Sequence, residues 1–130
     1  MGEGQLPKAL LVEDEALVAM ITEDYLGEIG FDAVWVDTAA EAMDVLTLGG
    51  FSLAVIDVGL PDMRGDDLAA RPRELSPTLP IILASGFDAA ELKRRFTTDD
   101  AVFVLGKPYT ESDLRTAIAA AGLVPVGVGG

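Results

Sequence analysis

The chain has 130 residues, half of them hydrophobic, which suits one domain with one packed core. Its 22 acidic side chains against 9 basic ones give a formal charge of −13, so the surface repels both nucleic-acid phosphates and anionic lipid, and neither is expected as a direct partner. Histidine and cysteine are both absent, which excludes a histidine general base, a Ser-His-Asp triad, a phosphohistidine on this chain, disulfides and thiolate metal sites.

No apolar run approaches the roughly 18 residues of a membrane-crossing helix. The opening "MGEGQLPKAL" lacks a basic segment followed by a long apolar one, so no signal peptide is expected, and a reducing cytoplasm is the expected location. Residues 1–7 read as a loose leader. "KALLVED" (8–14) is a short apolar run ending in acids, a buried strand. From Glu15 to Ile29, Leu17, Ile21, Tyr25 and Ile29 recur every four positions with Val18 and Leu26 beside them, predicting an amphipathic helix closed by Gly30. "FDAVWV" (31–36) alternates like a strand. Thr38 with Glu41 three later is a capping box that opens a helix to about Leu48, where Gly49-Gly50 stop it. "FSLAVID" (51–57) is a third strand.

"RGDDLAARPREL" (64–75) predicts a short, kinked or broken helix, because Pro72 removes a backbone hydrogen bond and clashes with the preceding turn. "LPIILAS" (79–85) is a fourth strand. Asp88 and Glu91 repeat the capping spacing and open a helix to about Phe96. "AVFVLG" (101–106) is a fifth strand, and "TESDLRTAIAAAG" (110–122) a last helix, capped by Thr110, with Leu114, Ala117, Ile118 and Ala121 on one face. "LVPVGVGG" reads as a frayed tail. Five strand–helix repeats with apolar strands imply an α/β fold, a parallel sheet covered on both faces, in a single domain with a core over about 8–121.

Such sheets bind ligands beyond the carboxyl ends of their strands. The first strand ends on Glu13, Asp14 and Glu15, the third on Asp57, the fourth on Ser85 and the fifth on Lys107. Clustered carboxylates suit a hard divalent cation such as Mg²⁺. A carboxylate is a competent nucleophile toward phosphorus, and an ammonium and a hydroxyl can hold phosphoryl oxygens. Phosphoryl transfer needs charge neutralisation more than acid–base catalysis, so no histidine is required.

The stretches "LLVEDEAL", "LAVIDVGLPDMRG", "PIILASG" and "LGKPYTESDL", in that order and at matching strand ends, resemble the receiver (response regulator) domains of two-component signalling, the CheY-like superfamily. The resemblance, rather than the strand pattern, implies a flavodoxin-like, doubly wound five-stranded sheet in the order 2-1-3-4-5. It implies that Asp57 is the phosphoacceptor and that Glu13 and Asp14 position Mg²⁺ with Asp57 and the backbone carbonyl of Gly59. Ser85 is then the switch hydroxyl, and Lys107, ahead of a cis Pro108, the lysine that meets the phosphoryl group. It further implies a histidine kinase or histidine phosphotransfer protein as donor, and a downstream protein bound through the fourth helix, fifth strand and fifth helix. A homodimer is compatible with it.

One position departs from the family pattern. The usual Tyr or Phe three residues before the lysine is Val104, and Phe103 should face the other way. The expectation is that Phe87, or the short loop after Ser85, carries the switch instead. Gly59 and Phe87 would flank the phosphoryl group and tune its loss.

The sequence also admits other readings: a receiver module cut from a hybrid histidine kinase, a phosphatase with an aspartyl nucleophile, and a scaffold that no longer accepts phosphate. The phosphatase pattern wants a second Asp two residues after Asp14, where Ala16 stands. The expected role is a signalling switch and not an enzyme. The remaining prominent residues read as ordinary structure. Glu15 favours a helix start, Phe31, Trp35 and Phe51 are core or rim, and Asp62, Asp66 and Asp67 are a solvated loop and helix N-terminus. Asp99 and Asp100 form a polar turn, and Arg94 and Arg95 a solvated helix face.

Overall fold

The computed structural model describes residues 6–71, 78–86, 89–96 and 101–123. Five strands, β1 (Lys8–Val12), β2 (Asp32–Val36), β3 (Phe51–Asp57), β4 (Ile81–Ser85) and β5 (Val102–Gly106), form one parallel sheet in the order β2-β1-β3-β4-β5. Between and after them run α1 (Ala16–Ile29), α2 (Ala39–Leu48), α3 (Gly65–Ala70), α4 (Ala89–Arg95) and α5 (Glu111–Ala120). The order reverses between β1 and β3, and that is where such a sheet opens a crevice at its carboxyl edge.

Side-chain alternation splits the core in two. Leu10, Val12, Ala54, Ile56, Ile81, Leu83 and Val104 face Ala39 and Ala42 of α2, Leu68 and Ala69 of α3, and Leu92 of α4. Ala9, Leu11, Leu53, Val55, Ile82 and Phe103 face Ala19, Leu26 and Ile29 of α1 and Leu114 and Ile118 of α5. Burying both faces is why the fully buried runs Ala9–Val12, Leu53–Ile56 and Ile81–Ala84 are apolar throughout. Val104 and Phe103 fall on opposite faces, as the alternation requires.

The observed α1 buries the C-terminal half of the expected stripe, Leu26 and Ile29 with Tyr25 packed beside them, but not its N-terminal half. Ala19, Thr22, Leu26 and Ile29 are buried, whereas Leu17, Met20 and Ile21 are 69%, 57% and 44% exposed. The sheet-facing side carries Ala19 and Thr22 at its start and Leu26 and Ile29 at its end, with Tyr25 packed beside them, while Leu17, Met20 and Ile21 lie outside. α1 ends as expected on Gly30, whose φ of 119° lies in the left-handed region and whose N–H returns to the Leu26 carbonyl.

Thr38 Oγ1 accepts the Glu41 N–H, half of the expected box. On α5 the box is complete: Thr110 Oγ1 accepts from Asp113 N–H, and Asp113 Oδ2 accepts from Thr110 N–H. α3 is short, as expected; Pro72, the residue invoked for this, lies outside the described residues, as do Phe87, Asp88, Asp99 and Asp100. The Lys107–Pro108 bond is cis. Gly27, exposed on α1, has open space where a Cβ would stand. Gly27→Ala is therefore expected to stabilise the chain by about 0.5–1 kcal/mol, by lowering the entropy of the unfolded chain, measurable by urea denaturation.

Candidate functional site

Register gathers the predicted residues. Val12 pairs with Ile56, and Ser85 with Gly106, so Glu13, Asp57, Ser85 and Lys107 stand at nearly one level on the carboxyl edge. Asp57, Ser85, Asp14, Gly59 and Lys107 line one open cleft of about 620 Å³, together with Glu15, Val58, Leu60, Arg64 and Gly86. Asp57 and Ser85 are 7% and 4% exposed, and Glu13, just behind, is 1% exposed. Ligand oxygens of Glu13, Asp14 and Asp57 all lie within 4.8 Å of one another. An all-oxygen carboxylate set of this size suits a hard cation, and receiver domains hold Mg²⁺ on such residues.

Lys107 holds the cluster together. Its Nζ donates to Asp57 Oδ1 at 3.0 Å and to Glu13 Oε1 at 3.5 Å, and lies 4.0 Å from Glu15 Oε1. Burial alone would lower its pKa, but the carboxylates of Asp57 and Glu13 outweigh burial and hold it above the usual lysine value. Glu13 goes the other way. Burial pushes its carboxyl up to about 7, against the pull of the Glu15 N–H on Oε2 at 3.1 Å; the Asp57 charge raises it further and Lys107 restrains it. Glu13 is thus a carboxyl group whose pKa of about 7 lies at neutrality even with Lys107 beside it. Asp57 Oδ2 lies on the Gly59 side, 3.7 Å from where a Cβ on that glycine would sit, so the glycine leaves this oxygen open to the cleft.

Several neighbours were read too blandly from the sequence. Trp35, assigned to the core or rim, donates from Nε1 to the Glu13 carbonyl at 2.8 Å and ties the edge strand to the acidic loop. Asp62, read as solvated loop, accepts the Ala39 and Ala40 N–H groups at 2.9 and 3.0 Å and so caps α2 from the β3–α3 connection. Those two donors hold its carboxyl below the usual range. Asp66, read as a helix N-terminal charge, is buried, with Arg64 Nε at 2.9 Å and Arg95 Nη1 at 2.6 Å. Arg95, read as solvated, also reaches Asp67 Oδ1 at 3.0 Å. Tyr109 bonds Thr22 Oγ1 at 2.8 Å and fastens the segment after Lys107 to α1. Each partner lies more than twenty residues away except Asp66–Arg64, so local pattern could not reveal them.

The family model of the response regulator receiver domain matches residues 9–119. The chain belongs to the response regulator receiver domain family. Receiver domains are the phosphoacceptor modules of two-component signalling. Among relatives, the response regulator receiver protein CpdR of Brucella abortus is 31% identical over 109 residues, covering 84% of this chain and 91% of that one. The sensor histidine kinase RcsC of Salmonella typhi is 29% identical over 110 residues, 85% of this chain but 12% of the kinase. The chain thus spans about an eighth of that kinase, and 24% of the response regulator FleR of Pseudomonas aeruginosa. A CheY-like receiver domain protein of Methanospirillum hungatei superposes with a TM-score of 0.80 at 27% identity, covering 88% of this chain and 92% of that one. A receiver protein of Sinorhizobium medicae gives 0.79 at 28%, covering 90% and 94%. No described helix is long and apolar enough to cross a membrane.

Proposed function

We propose that Asp57 is the phosphoacceptor and that Glu13, Asp14, Asp57 and the Gly59 carbonyl form its Mg²⁺ site. The observation that carries this is the buried Asp57 carboxylate, with Lys107 on one oxygen and the other facing the cleft. A free oxygen of Asp57 attacks the phosphorus of a phosphohistidine. The P–N bond breaks, its electron pair stays with the imidazole, and an aspartyl phosphate forms. Bound Mg²⁺ would neutralise the carboxylates and draw in the phosphoryl oxygens. Lys107 already faces the reacting carboxylate and keeps its charge there. Ser85, buried at the end of β4, is the hydroxyl that meets the new group.

The donor is a histidine kinase or histidine phosphotransfer protein. The exposed apolar residues Leu17, Met20 and Ile21 support a seat for it on α1, because Ile21 and Lys107 line one apolar hollow that adjoins the phosphoacceptor cleft. The edge strand β5 is half-exposed along its length and, with Lys93 of α4 and Asp113, Thr116 and Ala117 of α5, lines a shallow groove. That groove supports the α4–β5–α5 face as the readout surface for a downstream protein. The same chemistry would serve inside a hybrid histidine kinase, a reading with which the partial matches to sensor kinases such as RcsC are consistent.

Intact mass after incubation with acetyl phosphate tests the assignment. One phosphoryl adduct is expected, dependent on Mg²⁺ and absent from Asp57→Asn. An adduct that survives Asp57→Asn, or none where a known receiver is labelled, defeats it. Trp35 gives a second readout. As the chain's one tryptophan, bonded to the Glu13 carbonyl, it should change its emission saturably on Mg²⁺ addition, and Glu13→Gln should abolish or weaken that response.

A further inference from the structure

Arg64 stands between two clefts. It lines the phosphoacceptor cleft beside Asp57, Gly59, Ser85 and Lys107, and it lines a second cleft between α3 and α4 with Asp66, Glu91, Leu92 and Arg95. Its side chain is 52% exposed, whereas its partner Asp66 is 5% exposed. Arg64 reaches Asp66 with Nε at 2.9 Å and Nη2 at 3.5 Å. Asp66 meanwhile holds a second guanidinium, Arg95 Nη1, on Oδ2.

We propose that Arg64 is a second phosphoryl-binding cation of this site, which exchanges Asp66 for the phosphoryl group once Asp57 is modified. The proposal rests on Asp57 being the phosphoacceptor. A phosphoryl group brings nearly two negative charges and three acceptor oxygens into the cleft. Among the described lining residues, only Arg64 and Lys107 are cationic. Lys107 is already shared among carboxylates, while the guanidinium of Arg64 can fork onto phosphoryl oxygens that carry nearly twice the charge of one carboxylate.

The doubled cation on Asp66 makes the exchange feasible. A buried carboxylate stripped of its sole partner would be left as an uncompensated charge, but Asp66 keeps Arg95 when Arg64 departs. Arg95 Nη1, already at 2.6 Å from Asp66 and shared with Asp67 at 3.0 Å, then takes over the Asp66 charge at the expense of its contact with Asp67. Arg95 belongs to the last turn of α4, so the exchange carries the phosphorylation signal to α4 without the aromatic residue that Val104 replaces.

Beryllofluoride, a phosphoryl mimic, tests this in the full chain with Mg²⁺ present. Arg64→Gln should weaken adduct formation about ten-fold, the size of one charge-assisted hydrogen bond, while leaving Mg²⁺ affinity without beryllofluoride intact or tighter. Arg95→Gln removes the partner that frees Arg64, so it should also weaken the adduct, although Arg95 does not line that cleft. In the double variant the Arg95 change should add nothing. In nitrogen-15 arginine spectra the Arg64 Nε signal should move on adduct formation. An unchanged affinity in Arg64→Gln, or effects of the two variants that simply add, overturns the exchange. No adduct in the parent chain overturns the phosphoacceptor reading itself, and the exchange with it.

Discussion

Replacing Gly65 by alanine is expected to destabilise the chain by about 3 kcal/mol, lowering the melting temperature by about 10 °C for a domain of this size, and to impair phosphorylation as well. Gly65 opens α3 with its N–H on the Val58 carbonyl at 2.9 Å. A Cβ there would overlap the backbone oxygen of Asp57 and stand 2.7 Å from its carbonyl carbon and 2.8 Å from Val58 Cα. All three are backbone atoms, so no side chain can rotate away. Either α3 lifts, withdrawing Leu68 and Ala69 from the core, or the end of β3 moves and takes the Asp57 carboxylate off Lys107. Gly59→Ala is the control. Its nearest atom would be Asp57 Oδ2 at 3.7 Å, an ordinary contact, so its stability should stay within about 0.5 kcal/mol of the parent, as for most surface changes. Equal melting temperatures for Gly65→Ala and Gly59→Ala would refute the close-approach account.

This close approach also marks how far the sequence could be read. The sheet was legible because burial on both faces forces strand interiors such as "LAVI" to be apolar, and the first polar residue after each run then marks its end. Asp57, Glu13, Ser85 and Lys107 were found in this way, and the structure brings them to one edge. Gly65 looked like an ordinary residue of "RGDDL", since what demands a glycine there is the backbone of β3. Asp62 and Asp66 looked solvated because their partners, Ala39 and Arg95, come from other elements. On α1 the error had a different cause. Four-residue spacing drifts against the 3.6-residue turn, so the stripe read from Ile29 back to Leu17 leaves the sheet-facing side, which Ala19 and Thr22 occupy in the first half of the helix. The large residues left outside are those now available to a partner.

Lys107→Ala should separate stability from metal affinity. In the metal-free chain at pH 8, removing this ammonium leaves the Glu13 and Asp57 carboxyl groups buried beside each other without their shared cation. Loss of one partner of such a cluster costs about 3 kcal/mol. The variant should nevertheless bind Mg²⁺ more tightly, by about ten-fold or 1.4 kcal/mol, since no internal cation competes for the same oxygens. Saturating Mg²⁺ should then restore most of the lost stability.

The pH dependence fixes the cause. The folded-state carboxyl of Glu13 sits at about 7, against 4.5 for an ordinary glutamate, chiefly through burial. A raised folded pKa means the native state holds the proton more tightly. Glu13 therefore contributes its full stabilisation below about pH 4.5 and loses it as pH rises through about 7. Lys107 restrains that pKa, so the alanine variant raises it further and deepens the loss above neutrality. Urea denaturation without metal should show a larger gap between variant and parent at pH 8 than at pH 5, and Mg²⁺ should close the gap at pH 8. A gap of equal size at both pH values would mean that Lys107 stabilises by packing its stem against the Tyr109 segment, and that charge on Glu13 has no part in it.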